Sequence, residues 1–279
     1  MTIEIDDVIK RIEELPSLPA VVMEVLESID QEAVNLSQLT RKIILDQALT
    51  AKILRCANSS FYNTQSQVTT IQQAINLIGI SGVRNLVVAA ALKGSFPECH
   101  CRGFDFNVFW RHSIAVAVCA KVLARHMQLN QDYAYTAGLL HDIGRLVLVT
   151  QFTAQYEQAI AWRAAQDCHI VQAEREVLGI DHVQVGEALA AHWHFSKGIV
   201  NAIAKHHDPD LTGGDTVAAI VHVADAIAHA LDFSEDEDDL VPPVSLPVWS
   251  ALGLSDEDWV RVFRETELRY ESARLGLAA

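Results

Sequence analysis

The sequence predicts an all-α protein of two helical lobes. Three observations lead there. Apolar residues recur at helical spacing in segment after segment, residues able to cap a helix precede many of those segments, and the seven Pro and 13 Gly fall mostly between them. Alternating strand-like runs are scarce, although Leu146-Val147-Leu148-Val149 fits either state. No internal repeat, coiled-coil heptad or low-complexity tract is evident.

Residues 16–30 place Val22, Val25, Leu26 and Ile29 on one helical face. Ser37 is suited to cap the next helix and Asp46 the one after it, QALTAKILRCAN. Thr70 precedes IQQAINLI, which ends at Gly79, a residue suited to a left-handed C-terminal cap; Ser81 opens GVRNLVVAAALK. Residues 94–107, GSFPECHCRGFDFN, break the periodicity, so the boundary is placed there. Residues 1–99 are then an N-terminal helical lobe, and 100–279 a second lobe with an acidic loop and a tail helix. The second lobe opens with a helix from about Val108 to His126, its buried stripe Phe109, His112, Ala115 or Val116, Cys119, Val122 and Leu123. YAYTAGLLHDIGRLVLV follows, then a helical segment over about 151–167. Asp181 can cap HVQVGEALAAHW and Ser196 KGIVNAIAKHH, which stops at Asp208-Pro209. Asp215 or Thr216 opens VAAIVHVADAIAHAL. Six acids in residues 232–239 read as a solvated loop, and Ser255 with Asp258 as a capping-box-like start of the tail helix.

The 279 residues carry 21 Lys and Arg against 36 Asp and Glu, a net charge of −15. That argues against sequence-independent binding to nucleic acid or an anionic membrane, so neither is expected as a partner. No apolar run reaches the roughly 18–20 residues of a membrane span. The first residues, MTIEIDDVIKRIEELP, are charged and amphipathic and lack a signal-peptide core. Five Cys at irregular spacing suggest reduced thiols and a cytoplasmic location.

All 12 His lie between residues 100 and 229, which puts the chemistry in the second lobe. His112, His141-Asp142, His182, His206-His207 and Asp225 fall on or at the ends of otherwise apolar helices. Each alone has a bland reading, such as a core histidine bonded to a carbonyl. Together they are explained most economically by a shared cation, because buried carboxylates need a partner or a metal. Imidazole with carboxylate suits one or two divalent first-row ions, Fe or Mn foremost and Zn or Ni next; the lack of Cys argues against a structural zinc knot. Cys99-His100-Cys101 has no closing pair and reads as a loop.

The His141-Asp142 doublet in GLLHDIGRL resembles the defining pair of the HD superfamily of metal-dependent phosphohydrolases. LPSLPAVVMEVL, DQALTAKILRCANSSFYN and TIQQAINLIGISGVRNLVVA resemble stretches of its HDOD branch, and the likeness runs from about Leu15 to Leu231. The resemblance implies an N-terminal helical lobe packed on an HD-type bundle, and a role in bacterial signalling or regulation. HDOD domains generally have degenerate metal sites and no settled activity, yet here the ligands look largely present. Set against the related HD-GYP branch, His112 matches the first-helix ligand and His141 with Asp142 the doublet. His182 resembles the following-helix ligand, His206 and His207 the paired His, and Asp225 the closing Asp. That set serves two metals sharing Asp142, with His112, His141, Asp142 and Asp225 as the mononuclear core.

The sequence also departs from HD-GYP. Arg145 stands where Lys is usual, no GYP segment follows His206-His207, and Val108 replaces an acid one turn before His112. The resemblance therefore implies a regulatory module with a structural or sensory metal, acting through a signalling protein or a phosphorylated small molecule. An active phosphohydrolase is the alternative, with Asp142 holding metal, Arg145 contacting phosphate, and His206 or His207 protonating the leaving group instead of binding metal. A metal-free scaffold is the third reading.

Overall fold

The computed structural model describes residues 2–29, 36–58, 67–209, 215–236 and 239–277, and every regular element among them is an α-helix. Two compact units form: residues 17–95 with 267–279, and residues 1–16 with 96–266. This division departs from the sequence-based boundary at both ends. The first helix, α1 (Ile5–Glu13), buries Val8 and Ile12, and the Ile3 N–H donates to the Leu178 carbonyl at 2.7 Å, so residues 1–16 join the larger unit.

The smaller unit holds α2 (Ala20–Ser28), α3 (Leu36–Leu45), α4 (Gln47–Ala57) and α5 (Ile71–Ser95). Asp46 caps α4, its Oδ1 accepting the Leu49 N–H at 2.9 Å. Ser37, expected in front of α3, lies inside its first turn. Thr70 Oγ1 accepts the Gln73 N–H at 3.2 Å while Gln73 Oε1 accepts that of Thr70 at 3.1 Å, a reciprocal cap on α5. Gly79, at φ +77°, breaks α5 into two pieces where the sequence places a stop and a restart. Residues 59–66, which include the end of the HDOD-like stretch DQALTAKILRCANSSFYN, lie outside the described residues.

The larger unit is built on α6 (Phe106–His126), which starts two residues before the expected Val108, capped by Asp105 through the Asn107 N–H at 2.7 Å. Its expected stripe, from Phe109 through Leu123, is buried. The run YAYTAGLLHDIGRLVLV is two helices, α7 (Gln131–Leu140) and α8 (Ile143–Gln151), and Leu146–Val149 is helical. Then come α9 (Thr153–Gln166), α10 (Ile170–Leu178), α11 (His182–His192), α12 (Lys197–Lys205), α13 (Thr216–Ala230) and α14 (Leu246–Ala251); α15 (Asp256–Leu277) follows. Asp181 forms the capping box of α11 with Gln184, and Asp215 caps α13. Ser255 and Asp258 cap α15 reciprocally. Ser196 makes no cap bond; its hydroxyl pairs with Tyr133 Oη at 2.7 Å.

One close approach positions the site. A Cβ on Gly144 would lie 2.0 Å from the His182 carbonyl oxygen and 2.6 Å from the Gly186 nitrogen. Only a residue without a side chain lets the start of α11 seat against the start of α8, which brings His182 beside the His141-Asp142 turn.

Among the described residues two helices, α5 and α6, meet the length and mean hydropathy of a membrane span, against the expectation from sequence, because scattered charges do not lower the average enough. The apolar window of α6 is 72% buried inside the protein, and α5 is interrupted at Gly79.

Candidate metal centre

Each candidate residue sits at a break or on a buried face. His112 lies on the apolar stripe of α6. His141 ends α7 and Asp142 starts α8. Asp142 makes no cap bond, so its carboxylate is free to turn inward. His182 opens α11, His206 closes α12 with His207 next to it, and Asp225 occupies the middle of α13.

These elements bring all seven candidates into one cluster. His112 Nε2 lies 3.3 Å from His141 Nε2 and 3.1 Å from Asp225 Oδ1, which is 3.6 Å from His141 Nε2. Asp142 Oδ1 lies 3.3 Å from His182 Nε2 and 3.6 Å from each of His141 and His206 Nε2. His207 Nε2 is 3.1 Å from His182 Nε2. His229, passed over in the sequence, joins with Nε2 3.3 Å from Asp225 Oδ1.

The outward-facing nitrogens fix the rings. His141 Nδ1 donates to the Gly138 carbonyl at 2.7 Å and His206 Nδ1 to that of Ile203 at 2.8 Å, which leaves their Nε2 lone pairs facing inward. His182 Nδ1 is held by Glu174 Oε2 at 2.6 Å and His229 Nδ1 by Asp239 Oδ1 at 2.6 Å. His222 is structural: Nδ1 donates to the His206 carbonyl at 2.7 Å and Nε2 accepts the Ser245 N–H at 3.1 Å. It thereby holds the turn carrying His206 and His207.

Arg145 belongs to a closed loop of contacts. Its Nη1 donates to Asp142 Oδ2 at 3.0 Å and its Nε to Tyr156 Oη at 3.2 Å. Tyr156 Oη donates to Glu174 Oε1 at 3.0 Å, and Glu174 returns to Asp142 through His182. The guanidinium also lies 5.7 Å from the centre of the Phe104 ring. A cavity of about 270 Å³ opens over the cluster, with Arg145, His207, Phe104, Phe109, Leu240 and Pro243 in its walls.

Burial alone would raise both carboxylates, but His141 and His182 around Asp142, and His229, His112 and His141 around Asp225, hold them well below the usual range. Burial opposes the charged form of His182, yet Glu174 and Asp142 overcome it and push its pKa up to about 10. Burial, with His206 and His182 adjacent, drives His207 far down. A neutral imidazole is a ligand and a poor proton donor, so of the two roles open to His207 the environment favours metal binding.

The donor set fits a divalent first-row cation. Asp225 Oδ1 and His206 Nε2 are buried and accept no hydrogen bond among the described residues, an expensive arrangement for polar atoms unless a cation faces them. Neighbouring ligands on one ion with bonds of roughly 2.1 Å lie about 3 Å apart, close to the 3.1–3.3 Å spacings here. His112, His141 and Asp142 form one group and His182, His206 and His207 another, with Asp142 between them.

Sequence reasoning missed Glu174, Tyr156, His229 and Asp239. It passed over α10 entirely, although Gly179 at φ +77° marks its end. The acidic loop is not wholly solvated: Asp239 pairs with His229, while two of its six acids, 237 and 238, lie outside the described residues. Cys99-His100-Cys101 forms no metal group among the described residues; burial pushes the Cys101 thiol up to about 11.

The comparisons bear on the family and the fold. The HDOD domain model matches residues 15–209. An HDOD domain protein of unknown function from Geobacter sulfurreducens superposes with a TM-score of 0.81 at 24% identity, covering 98% of both chains. A Shewanella amazonensis SB2B protein provisionally named a phosphohydrolase gives 0.73 at 26% identity, covering 96% of both. An uncharacterized protein of Treponema pallidum (strain Nichols) is 26% identical over 210 residues, 71% of this chain and 38% of that protein. Ribonuclease Y of Thermus thermophilus is 37% identical over 121 residues, 43% of this chain and 16% of that one. The chain thus spans well under half the length of these two relatives. With the family model covering most of its length, this chain belongs to the HDOD domain family.

Proposed function

We propose that this chain is a signalling or regulatory HDOD protein whose HD-type centre holds one or two divalent first-row ions, Fe or Mn foremost, and takes a phosphorylated small molecule onto them. The observation that carries this is the convergence of imidazole Nε2 atoms and two buried carboxylates beneath an open cavity. His112, His141, Asp142 and Asp225 would hold one ion, and His182, His206, His207 and Asp142 the other. Bound there, the ions supply Lewis acidity toward phosphoryl oxygens. Arg145, anchored by Asp142 and Tyr156, keeps further N–H groups for a phosphate oxygen at the cavity wall. Phe104, Phe109 and Leu240 offer an apolar surface for an organic group. The net charge of −15 speaks against nucleic acid, and no membrane partner is proposed.

Hydrolysis of the bound phosphoester is the second reading, favoured by the near-complete ligand set. Its weak point is the proton: burial drives both His206 and His207 toward the neutral form, so neither of the two candidate donors is favoured.

The test is isothermal titration of metal-loaded and chelated protein with inorganic phosphate, mononucleotides and cyclic dinucleotides, with a short single-stranded RNA as control. Binding of a phosphate compound that needs metal and is lost in Asp142→Ala supports the proposal. Metal-independent binding, or no binding by the loaded protein, overturns it. Turnover of bis(p-nitrophenyl) phosphate by the loaded parent but not Asp142→Ala selects the second reading.

A further inference from the structure

His182 and His229 are held in the same way at opposite sides of the centre. His182 has Nδ1 2.6 Å from Glu174 Oε2 and Nε2 3.3 Å from Asp142 Oδ1. His229 has Nδ1 2.6 Å from Asp239 Oδ1 and Nε2 3.3 Å from Asp225 Oδ1. Each carboxylate behind the ring fixes its orientation and tautomer, the arrangement found behind metal-bound histidines. His182 is among the expected ligands, whereas His229 is not.

Four further observations bear on His229. It lies one helical turn after Asp225 on α13, so both side chains project from one face. Its ring lies 4.4 Å from that of His112, and His112, Asp225 and His229 each offer a ligand atom within 4.8 Å of the others. The support behind it is anchored in turn: Ser234 Oγ donates to Asp239 Oδ2 at 3.0 Å, and Arg111 Nε donates to the Ser234 carbonyl at 2.8 Å. His222, on the same helix, spends both ring nitrogens on backbone partners and keeps none for a cation. His229 spends one and turns the other toward Asp225 Oδ1, an atom that accepts no hydrogen bond among the described residues.

We propose that His229, held by Asp239, is a metal ligand that completes with His112 and Asp225 the coordination of the ion on that side of the centre. The inference rests on the metal reading above. It also gives the acidic loop a structural role, since Asp239 reaches back from it to orient a ligand. With Val108 one turn before His112, a ligand from α13 supplies a donor on this side that α6 lacks.

The test titrates the full chain, freed of metal, with Co²⁺ against a chromophoric chelator, in the parent and in His229→Gln, Asp239→Asn and Glu174→Gln. Visible d–d absorption of the Co²⁺ form and metal content by mass spectrometry are read in parallel. His229→Gln is expected to weaken one of the two ions by at least about tenfold and alter its d–d bands; Asp239→Asn is expected to weaken the same ion by roughly 10–100-fold. Glu174→Gln should weaken the other. Far-UV circular dichroism checks folding, and Asp239→Asn, which keeps size and a hydrogen-bond acceptor, carries the test if His229→Gln misfolds. If the parent binds Co²⁺ while affinity and spectrum stay unchanged in both His229→Gln and Asp239→Asn, the ligand assignment to His229 is overturned alone. If the parent takes up no ion, the metal reading falls and this inference with it.

Discussion

Replacing Gly144 by alanine sets two effects of opposite sign against each other. In a helix, alanine is favoured over glycine by up to about 1 kcal/mol, so propensity predicts stabilisation. Packing predicts the reverse. The new Cβ would sit 2.0 Å from the His182 carbonyl oxygen, about 1 Å short of tolerable contact, and 2.6 Å from the Gly186 nitrogen, about 0.4 Å short. Both obstacles are backbone, so α8 and α11 must separate rather than a side chain rotate. Overpacking of this kind costs roughly 1–3 kcal/mol, and backbone obstacles place Gly144→Ala at the upper end, net of the propensity gain. At about 2–4 °C per kcal/mol, the Tm should fall by roughly 6–12 °C. Separation also moves His182 from Asp142, so metal affinity should drop in parallel. Gly94→Ala is the control: its Cβ meets nothing closer than Lys52 Nζ at 4.0 Å, so it should hold or raise the Tm. Thermal melts followed by circular dichroism decide. A Gly144→Ala protein with an unchanged or higher Tm and parental metal affinity would refute the close-packing argument.

Tyr156→Phe removes the hydroxyl joining Arg145 to Glu174 and leaves buried polar atoms short of a partner. It should cost about 1–3 kcal/mol in chemical denaturation, and a neutral result would mean the loop of contacts is not structural. Metal uptake should release protons, because His182, pushed up to about 10 by Glu174 and Asp142, must give up its Nε2 proton to bind. Affinity should therefore rise with pH below about 10, which titration calorimetry in buffers of different ionisation enthalpy checks; the absence of proton release would count against His182 as a ligand. In the metal-free protein the sign is opposite: His182 contributes stability that is full below about 6.5 and fades as pH rises toward 10. Asp142→Ala should remove both ions, since Asp142 faces both ligand groups, whereas retention of one ion by mass spectrometry would show that it is not shared.

Local signals in the sequence were enough to read most of the helices, though not α10 or α14. Asp46, Asp181 and Asp215 sit directly before the helices they cap, and Gly79 stands where α5 breaks, whereas Asp105 was not read as the cap of α6. His112 was legible because a polar ring on an otherwise apolar stripe asks for a partner. Glu174 and Tyr156 were not, since a carboxylate in IVQAEREVL reads as solvent-facing, whereas in the fold it is buried between Tyr156 of α9 and His182 of α11. His229 stayed hidden for a similar reason: its carboxylate comes from a loop whose path the charge pattern does not specify. The amphipathic face of α1 was plain, but not that it would join the larger unit beside Leu178.

The central claim is that these imidazoles and carboxylates hold metal. Inductively coupled plasma mass spectrometry on protein purified without a His tag or added metal tests it most directly. The account predicts about two first-row ions per chain, one on each side of Asp142, whose Oδ1 faces His141 on one side and His182 and His206 on the other. Near-zero metal with no uptake on adding Fe, Mn, Zn or Ni would contradict it and leave a scaffold whose histidines bond only to protein.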